Sequence, residues 1–524
     1  MLNKKSLEDA KKVLRKRYKN NIKSLMKREA EDAFSMFENA FAMSIDPHTN
    51  YLSPQDTSDF DEHMRLSMEG IGATLVSKND YVEIVSIIPG SPAERSKQLS
   101  PKDKIIGVMQ KNDPKQEMVD IVGVRIDEAV KLIKGKKGTH VVLEILRGEG
   151  NSAKIFRVEL VRDTIKIEDS KAKIEVKEVD GKRVGVLIAK SFYMGLAKDM
   201  KKELLKYKDE ANKLDALIVD LRNNGGGALN EAVDATGLFV YKENVVQIKD
   251  SQGSITHLDD NDPFYFKIPL VVLINRRSAS SSEIFTGALQ DLKRAIVVGD
   301  RSFGKGTVQQ SRPLDKIYDY FDKSLGSIHY TIAKFYRISG SSNQLKGVIP
   351  NIDLYQLNDE VSDTEGEQPN ALKWDEITPS VSYRNSPLND DLHEKGMQKL
   401  INFLTQKHVE RTKDDEIYQG FLASYKDSIK EFNDKKIDLS LSSRLAEMTK
   451  DEKEKIALIN KYNVKNKKPT ISSIDDLPVD YTAPDVILDE TVKIAIDLAK
   501  LEKKGEEQQQ AQSTLSENQK VKSK

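Results

Sequence analysis

Four serines lie close together at the start of an apolar helical pattern: Ser278, Ser280, Ser281 and Ser282. Further along the chain, Lys305 lies between Gly304 and Gly306. A serine hydroxyl supplies a nucleophile, and a lysine in a dry pocket supplies the base that removes its proton. These residue types therefore indicate acyl-transfer chemistry that needs no histidine.

Lys305 can act as a base only in its neutral form, and an ordinary lysine has a pKa of about 10.4. Burial disfavours the charged form and lowers that pKa, and the flanking glycines allow the backbone to pack closely. If residues 305–309 are extended, Gln309 shares a face with Lys305 and orients it. A phosphate loop is excluded, because the G-x-x-x-x-G-K-[ST] pattern needs Ser or Thr where Gly306 stands.

The serine cluster also has a purely structural interpretation. Ser280 and Glu283 fit the S-x-x-E capping box that begins a helix. The two interpretations are compatible, because the free N–H groups and the dipole of a helix N-terminus stabilise developing negative charge. The residue types alone leave Ser278, Ser280 and Ser282 open as nucleophiles.

Short apolar runs surround the serine cluster. Leu270–Asn275 precedes it and Arg294–Gly299 follows it, so a strand–helix–strand unit and a parallel sheet are predicted. Sites in such sheets collect at the carboxyl ends of the strands, which is where the serines fall. A third apolar run, Leu214–Leu221, leads into a glycine-rich turn containing Gly225 and Gly226. Their N–H groups are candidates for an oxyanion hole, although such a turn alone is usually only a tight connection.

Three motifs, DLRNNGGGAL, SASSSEIFTGALQD and SFGKGTVQQ, occur in this order and spacing. Together they resemble the carboxy-terminal processing proteases, and the tail-specific branch in particular, from about Ile45 through Leu501. The resemblance implies that Ser280 is the nucleophile, Lys305 the general base and Gln309 its orienting partner. It also implies an oxyanion hole in the region of Gly225 and Gly226.

Two further segments match family positions outside this catalytic set. Asp291 lies eleven residues after Ser280, about 16 Å along a helix. That distance is too long for a relay, so Asp291 is interpreted as a structural support. Gln344 and Lys346, in the segment Tyr336–Leu354, are interpreted as structural or substrate-groove residues rather than catalytic ones.

The segment from about Ser67 to Asp163 alternates short strands with glycine turns and contains one amphipathic helix. It resembles a PDZ domain, which captures a chain terminus as an added strand and holds its carboxylate with loop amides. The resemblance implies a carboxylate-binding loop, which consists of Gly70, Ile71, Gly72 and Ala73. The alternative is a glycine hairpin in an ordinary β-domain.

The resemblance implies an α+β multidomain protein. Its α/β (crotonase-like ββα) serine protease core would carry an inserted PDZ domain and flanking helical N- and C-terminal regions. The predicted boundaries are 1–66 for the N-terminal helical region, 67–163 for the PDZ domain, 164–357 for the protease core, 358–387 for a linker, 388–504 for a C-terminal helical domain and 505–524 for a disordered tail. In the first region, an apolar stripe of Phe34, Phe37 and Phe41 predicts a packing face.

Composition excludes several other classes of function. The chain has 83 basic and 83 acidic residues among 524, so no nucleic-acid partner is indicated. It has no cysteine, which excludes thiol catalysis and cysteine-ligated zinc. None of its seven histidines lies in a zinc spacing or a triad motif. No apolar run reaches membrane-spanning length, and the predicted chemistry needs no metal or other cofactor.

Localisation and partners follow from the resemblance alone. Tail-specific proteases are periplasmic, yet Met1–Arg15 has no apolar core of a signal peptide, so a trimmed chain is expected. The expected partners are protein substrates with apolar C-termini and a lipoprotein-type adaptor. The sequence therefore predicts a serine endopeptidase that recognises substrate tails. The alternatives are a catalytically silent tail-binding scaffold and a non-proteolytic acyl hydrolase.

Overall fold

The computed structural model describes residues 6–78, 80–112, 114–148, 153–166, 170–260, 264–315, 324–357, 364–385, 391–434, 436–478, 481 and 483–503. The predicted tail 505–524 and part of the predicted linker 358–387 lie outside these residues. The chain forms two compact units. The larger unit takes the chain up to Lys19, Ala30–Thr57 and everything from Lys171 onward, and the smaller unit takes Asn20–Glu29 and Ser58–Ser170.

The N-terminal part is helical, as predicted, and its described elements are α1 (Leu7–Met26), α2 (Ala30–Ala42), β1 (Asn50–Leu52) and α3 (Pro54–Arg65). Pro54 occupies the first position of α3, where its missing N–H costs nothing. The predicted packing face on α2 is wrong for Phe37 and Phe41, which are 71% and 66% exposed. Phe34 is 52% exposed, but its ring meets the Tyr51 ring edge to face, with 5.6 Å between the ring centroids. The helix is also held through Asn39, whose side-chain amide pairs with the backbone N–H and C=O of Tyr51 at 2.9 and 3.0 Å.

The described part of the smaller unit is a β-domain, and two short helices lie wholly within it. Its strands are β2 (Ser67–Gly70), β3 (Ala73–Lys78), β4 (Tyr81–Ile87), β5 (Lys104–Gln110), β6 (Val119–Asp120), β7 (His140–Arg147), β8 (Lys154–Val161) and β9 (Asp163–Lys166), and its helices are α4 (Pro92–Ser96) and α5 (Ile126–Ile133). The main sheet has the order β3-β4-β5-β7-β8, with β6 on β5, and β2 pairs with β9. Among the described strands, β3 is an edge strand. Helix α5 buries Ala129 and Ile133 in the core of this unit, close to β3 and β5.

The larger unit contains two sheets. Its remaining strands are β10 (Lys173–Val179), β11 (Lys182–Ile188), β12 (Ala216–Asp220), β13 (Asn244–Asp250), β14 (Ile255–Asp259), β15 (Leu270–Ile274), β16 (Ile296–Gly299), β17 (Thr307–Pro313), β18 (Ser327–Tyr336) and β19 (Ile352–Asp353). One sheet has the order β10-β11-β12-β15-β16-β19 and is parallel from β11 to β19. The parallel sheet predicted around the serine cluster is therefore confirmed. The second sheet is antiparallel, with the order β1-β18-β13-β14 and β17 on β18.

The remaining described α-helices belong to the larger unit. They are α6 (Leu196–Leu205), α7 (Leu229–Gly237), α8 (Ser281–Asp291), α9 (Val381–Asn385), α10 (Asp391–Thr412), α11 (Glu416–Asn433), α12 (Leu441–Lys465) and α13 over residues 486–503. Side chains of α10, α11 and α13 join the inward-facing residues of β11, β12, β15, β16 and β19 in one apolar core. The predicted start of a C-terminal helical domain therefore does not coincide with a boundary between compact units.

Replacing Ile494 of α13 by alanine tests this packing. Ile494 is fully buried in the core of the larger unit, so Ile494→Ala should lower the free energy of unfolding by about 2–5 kcal/mol. Trp374, the only tryptophan, lies in the same unit and reports its unfolding by fluorescence in urea. The exposed Lys500→Ala on the same helix is the control. An unchanged unfolding midpoint for Ile494→Ala would contradict the packing.

Candidate active site

The serine cluster lies between the end of β15 and the first turn of α8, and its four hydroxyls differ in their partners. Three of them donate to backbone carbonyl oxygens of residues 221–227: Ser278 to Leu221 (2.8 Å), Ser281 to Gly227 (3.0 Å) and Ser282 to Asn224 (2.8 Å). The Ser280 hydroxyl donates to none of the described residues. Since Ser280 is also partly exposed, it is the serine of the cluster whose proton is accessible to a base.

Ser280 has an unusual backbone conformation, with φ 55° and ψ −115°. A non-glycine residue in such a region costs about 1–3 kcal/mol and persists only where the surroundings enforce it. Two hydrogen bonds hold this turn in place. The Ser280 N–H donates to Glu283 Oε2 at 2.8 Å, and the Ala279 N–H donates to the Asn224 carbonyl oxygen at 3.0 Å.

Glu283 joins the serine turn to the lysine loop. Its fully buried carboxylate accepts four hydrogen bonds: from Ser280 N (2.8 Å) and Lys305 N (2.9 Å) on Oε2, and from Ser302 Oγ (2.6 Å) and Gly304 N (2.7 Å) on Oε1. Burial raises the pKa of Glu283 to about 7, against the lowering effect of these hydrogen bonds. The capping box identified Glu283 from sequence, but the pattern held no signal for its contacts with the lysine loop.

The shared Glu283 carboxylate joins the backbone of Lys305 to that of Ser280. The two backbone nitrogens bind the same oxygen of Glu283. Loss of hydration lowers the pKa of the Lys305 ammonium, while the carboxylates of Glu365, Glu283 and Asp46 act in the opposite direction. The lowered pKa favours the neutral amine that a general base requires. The Lys305 side chain makes no hydrogen bond to the described residues, so no direct bond to the Ser280 hydroxyl is formed in this conformation.

Gln309 lies on β17, and its position differs from the prediction. The segment 305–309 is not one regular extended run, because β17 begins at Thr307 and its register shifts between Val308 and Gln309. Such a bulge redirects a side chain. The Gln309 Nε2 donates to the hydroxyls of Thr307 and Thr331 at 2.9 and 3.1 Å. Its Oε1 accepts no hydrogen bond from the described residues.

The glycine-rich turn lies directly against Ser280. A Cβ on Gly226 would come within 2.8 Å of Ser280 Cβ, and Gly226 has a φ of 100°, so only glycine fits there. Its N–H already donates to Asn224 Oδ1 at 2.9 Å. The N–H groups of Gly225 and Ser281 donate to none of the described residues. The sequence analysis did not single out the N–H of Ser281, which follows Ser280 at the start of α8.

The other predicted positions in the larger unit have structural contacts. Asp291 forms an ion pair with Arg337 and accepts a hydrogen bond from the Ser339 hydroxyl at 3.0 Å, which agrees with a supporting role. Gln344 is buried. The Lys346 ammonium lies 3.3 Å from the centre of the Trp374 ring.

No group of three or more His, Cys, Asp or Glu side chains able to hold a metal ion occurs in the part of the chain that the structure describes.

The predicted tail-binding loop lies between β2 and β3 of the smaller unit. Gly70 ends β2 and Ala73 begins β3. The Ile71 and Gly72 carbonyl oxygens accept hydrogen bonds from the N–H groups of Ala93 and Ile88, each at 2.9 Å. The N–H groups of Ile71 and Gly72 donate to none of the described residues. The loop therefore presents free amides beside the edge strand β3.

Family models match along the chain in the order that the three motifs and the PDZ resemblance imply. The matches are Tail specific protease N-terminal domain at residues 1–55, PDZ domain at 60–146, Peptidase family S41 at 183–354 and C-terminal domain of tail specific protease at 360–500. Among the described helices, none is long and apolar enough to cross a membrane.

Two known proteins are also similar to this chain in sequence. The Tail-specific protease of Haemophilus influenzae is 44% identical over 495 residues, which cover 94% of this chain and 69% of that protein. A Probable CtpA-like serine protease of Staphylococcus aureus is 35% identical over 317 residues, which cover 59% of this chain and 57% of that protein.

Two solved structures are also similar. The Photosystem II D1 C-terminal processing protease is 23% identical with a TM-score of 0.36, covering 65% of this chain and 86% of that one. The PDZ domain of Carboxy-Terminal Protease from Vibrio cholerae in complex with peptide is 49% identical with a TM-score of 0.18, covering 20% of this chain and all of that one. The resemblance drawn from the motifs is confirmed by the family models and the Haemophilus relative. The chain belongs to the tail-specific proteases of peptidase family S41, and it is a serine-type endopeptidase.

Proposed function

We propose that this endopeptidase uses Ser280 as its nucleophile and Lys305 as its general base, with Gln309 orienting the lysine. The observation that carries this proposal is the difference in hydrogen bonding among the four serine hydroxyls. Three hydroxyls donate to backbone carbonyl oxygens, and Ser280 alone keeps its proton free. The Glu283 carboxylate adds support, because one of its oxygens binds the backbone N–H of both members of the pair.

The reaction proceeds through an acyl-enzyme. Neutral Lys305 takes the proton of Ser280 as Oγ attacks the substrate carbonyl carbon, and the peptide C–N bond then breaks as Lys305 gives that proton to the leaving amine. In the second half, Lys305 takes a proton from water, whose oxygen attacks the acyl carbon. The proton returns to Ser280 as the ester bond breaks, and both residues regain their starting forms.

Backbone amides stabilise the oxyanion of each tetrahedral intermediate. The N–H groups of Gly225 and Ser281 support this role, since neither donates to a described residue. Ser281 also lies at the N-terminus of α8, where the helix dipole favours negative charge. Gly226 contributes by its shape: a side chain at this position would meet Ser280, and its own N–H is occupied by Asn224.

The smaller unit selects substrates by their C-terminal tails. A tail with apolar residues adds as a strand to the edge of β3, and the free amides of Ile71 and Gly72 bind its carboxylate. Helix α5 supplies the apolar side of this site, since Leu132 and Ile126 are partly buried against the core of the unit. Unfolded or partly folded proteins are the expected substrates, because their termini are accessible.

Location and further partners rest on the family resemblance. It supports a periplasmic protein, and a lipoprotein-type adaptor stays a prediction of that resemblance alone. The two alternatives predict different behaviour. A silent scaffold binds tails without turnover, and an acyl hydrolase cleaves small esters but not proteins.

Kinetics of serine and lysine variants test the proposed pair. Ser280→Ala and Lys305→Ala should each lower kcat by at least about 10³-fold on an unfolded reporter with an apolar tail, because each removes a participant in the covalent step. Ser278→Ala and Ser282→Ala are the matched controls and should keep their turnover per folded molecule. Full activity of Ser280→Ala, or loss of turnover confined to a control, would contradict the assignment.

Binding of peptide tails tests the proposed role of the smaller unit. Full-length Ser280→Ala protein should bind an apolar peptide with a free carboxylate at least about tenfold more tightly than the same peptide with a C-terminal amide. The reason is that amidation removes a charged acceptor from the loop amides. Fluorescence anisotropy of labelled peptides measures the difference, and a peptide ending in charged residues is the specificity control. Equal affinities for acid and amide would contradict carboxylate capture.

A further inference from the structure

A turn far from Ser280 and Lys305 in sequence is linked by hydrogen bonds to Gln309 and to the loop that carries Lys305. This N-terminal turn, Asp46–Thr49, lies between α2 and β1 and belongs to the larger unit. Its Asp46 and Thr49 are buried, at 4% and 5% exposure. The Asp46 carboxylate organises the turn by accepting from the His48 N–H at 2.9 Å and from the Thr49 hydroxyl at 2.5 Å.

One arm of contacts runs from this turn to Gln309. The Thr331 hydroxyl donates to Asp46 Oδ1 at 3.1 Å and accepts from Gln309 Nε2 at 3.1 Å. The Thr331 N–H also donates to the Thr49 hydroxyl at 3.3 Å. These bonds fix the amide orientation of Gln309, because its NH₂ group faces hydroxyl acceptors. The Gln309 Oε1 is thereby left to accept from the lysine.

A second arm runs from the turn to the loop that carries Lys305. His48 Nε2 pairs with Glu365 Oε2 at 2.7 Å, and Glu365 is fully buried. Glu365 Oε1 accepts from Gln344 Nε2 at 2.8 Å, and Gln344 Oε1 accepts from the Gly306 N–H at 2.8 Å. A Cβ on Gly306 would lie 2.8 Å from the Gln344 backbone nitrogen, so this close approach requires glycine.

The same groups act on Lys305 electrostatically. The carboxylates that face its ammonium are Glu365, Glu283 of α8 and Asp46, and each raises the pKa of Lys305 against the lowering effect of burial. His48, which binds Glu365, is the remaining titratable group in these two arms. Asp46 and Glu365 therefore combine two effects, since they hold the neighbours of Lys305 and oppose the loss of its proton.

We propose that Asp46, His48 and Glu365 are positioning residues for the base of this protease. Through Thr331 they orient Gln309, and through Gln344 they fix the backbone at Gly306, next to Lys305. This inference rests on the Ser280–Lys305 pair proposed above. It assigns to the Asp46–Thr49 turn a part in catalysis, although none of its residues touches the reacting atoms.

The full-length variants Asp46→Asn and Glu365→Gln test the electrostatic part. With an unfolded reporter carrying an apolar tail, both should lower kcat by about tenfold or more with little change in KM. Removing a carboxylate removes an influence that raises the pKa of Lys305. The neutral amine then persists to lower pH, so the acid limb of the kcat/KM profile should move to lower pH. Asp375→Asn, whose carboxylate pairs with Lys334, is the matched control and should keep the wild-type profile.

Thr331→Val tests the hydrogen-bonding arm without changing a charge. It removes the hydroxyl between Asp46 and Gln309 and should lower kcat while leaving the acid limb at the wild-type pH. It also keeps the inference falsifiable if a carboxylate variant does not fold. Wild-type kcat for Thr331→Val, or an unmoved acid limb in folded Asp46→Asn and Glu365→Gln, would overturn the inference.

The outcomes separate this inference from the proposed function. If Ser280→Ala and Lys305→Ala are inactive while Asp46→Asn, Glu365→Gln and Thr331→Val match the wild type, only the positioning role fails. If Ser280→Ala or Lys305→Ala still cleaves the reporter, the proposed pair fails and the positioning role fails with it.

Discussion

The candidate active site depends on one buried carboxylate. Glu283 has no exposed surface, and four hydrogen-bond donors surround its two oxygens. These donors offset the cost of burying a carboxylate, which on its own would be high. Because the donors come from the serine turn and from the lysine loop, neither segment can shift without leaving this carboxylate unsatisfied. The same interaction holds Ser280 in its strained backbone conformation and ties its backbone to that of Lys305.

The two sheets and their helices position the segments of the candidate site that do not contact Glu283. The parallel sheet places the glycine-rich turn after β12 next to the serine turn after β15, and the fit leaves no room for a side chain at Gly226. The antiparallel sheet carries Gln309 on β17 and brings β1 against β18, which lies close to the Asp46–Thr49 turn. Helix α13 closes the apolar face of the parallel sheet. The site is therefore assembled from segments that are distant in sequence.

Local patterns predicted much of the framework. The short apolar runs identified β12, β15 and β16, and the capping box identified the start of α8, because strand burial and helix capping depend on neighbouring residues.

Long-range contacts were not predictable in this way. Nothing near Asp46 or Glu365 in sequence indicates proximity to Lys305, and nothing in α13 indicates that it packs on the sheet. The exposed Phe37 and Phe41 show the same limit, because apolar periodicity identifies one face of a helix but not the element that packs against it. The bulge before Gln309 depends on pairing with β18.

The proposed activation of Ser280 by Lys305 can be tested by the rate at which a fluorophosphonate modifies the protein covalently. The full-length protein would be reacted across a range of pH, and the modified residue identified by mass spectrometry. The proposed Ser280–Lys305 pair predicts a single adduct on Ser280. It also predicts a rate that rises with pH through a midpoint below the ordinary lysine pKa of about 10.4, and loss of this reactivity in Lys305→Ala. An adduct on another serine, or a rate unchanged in Lys305→Ala, would contradict it.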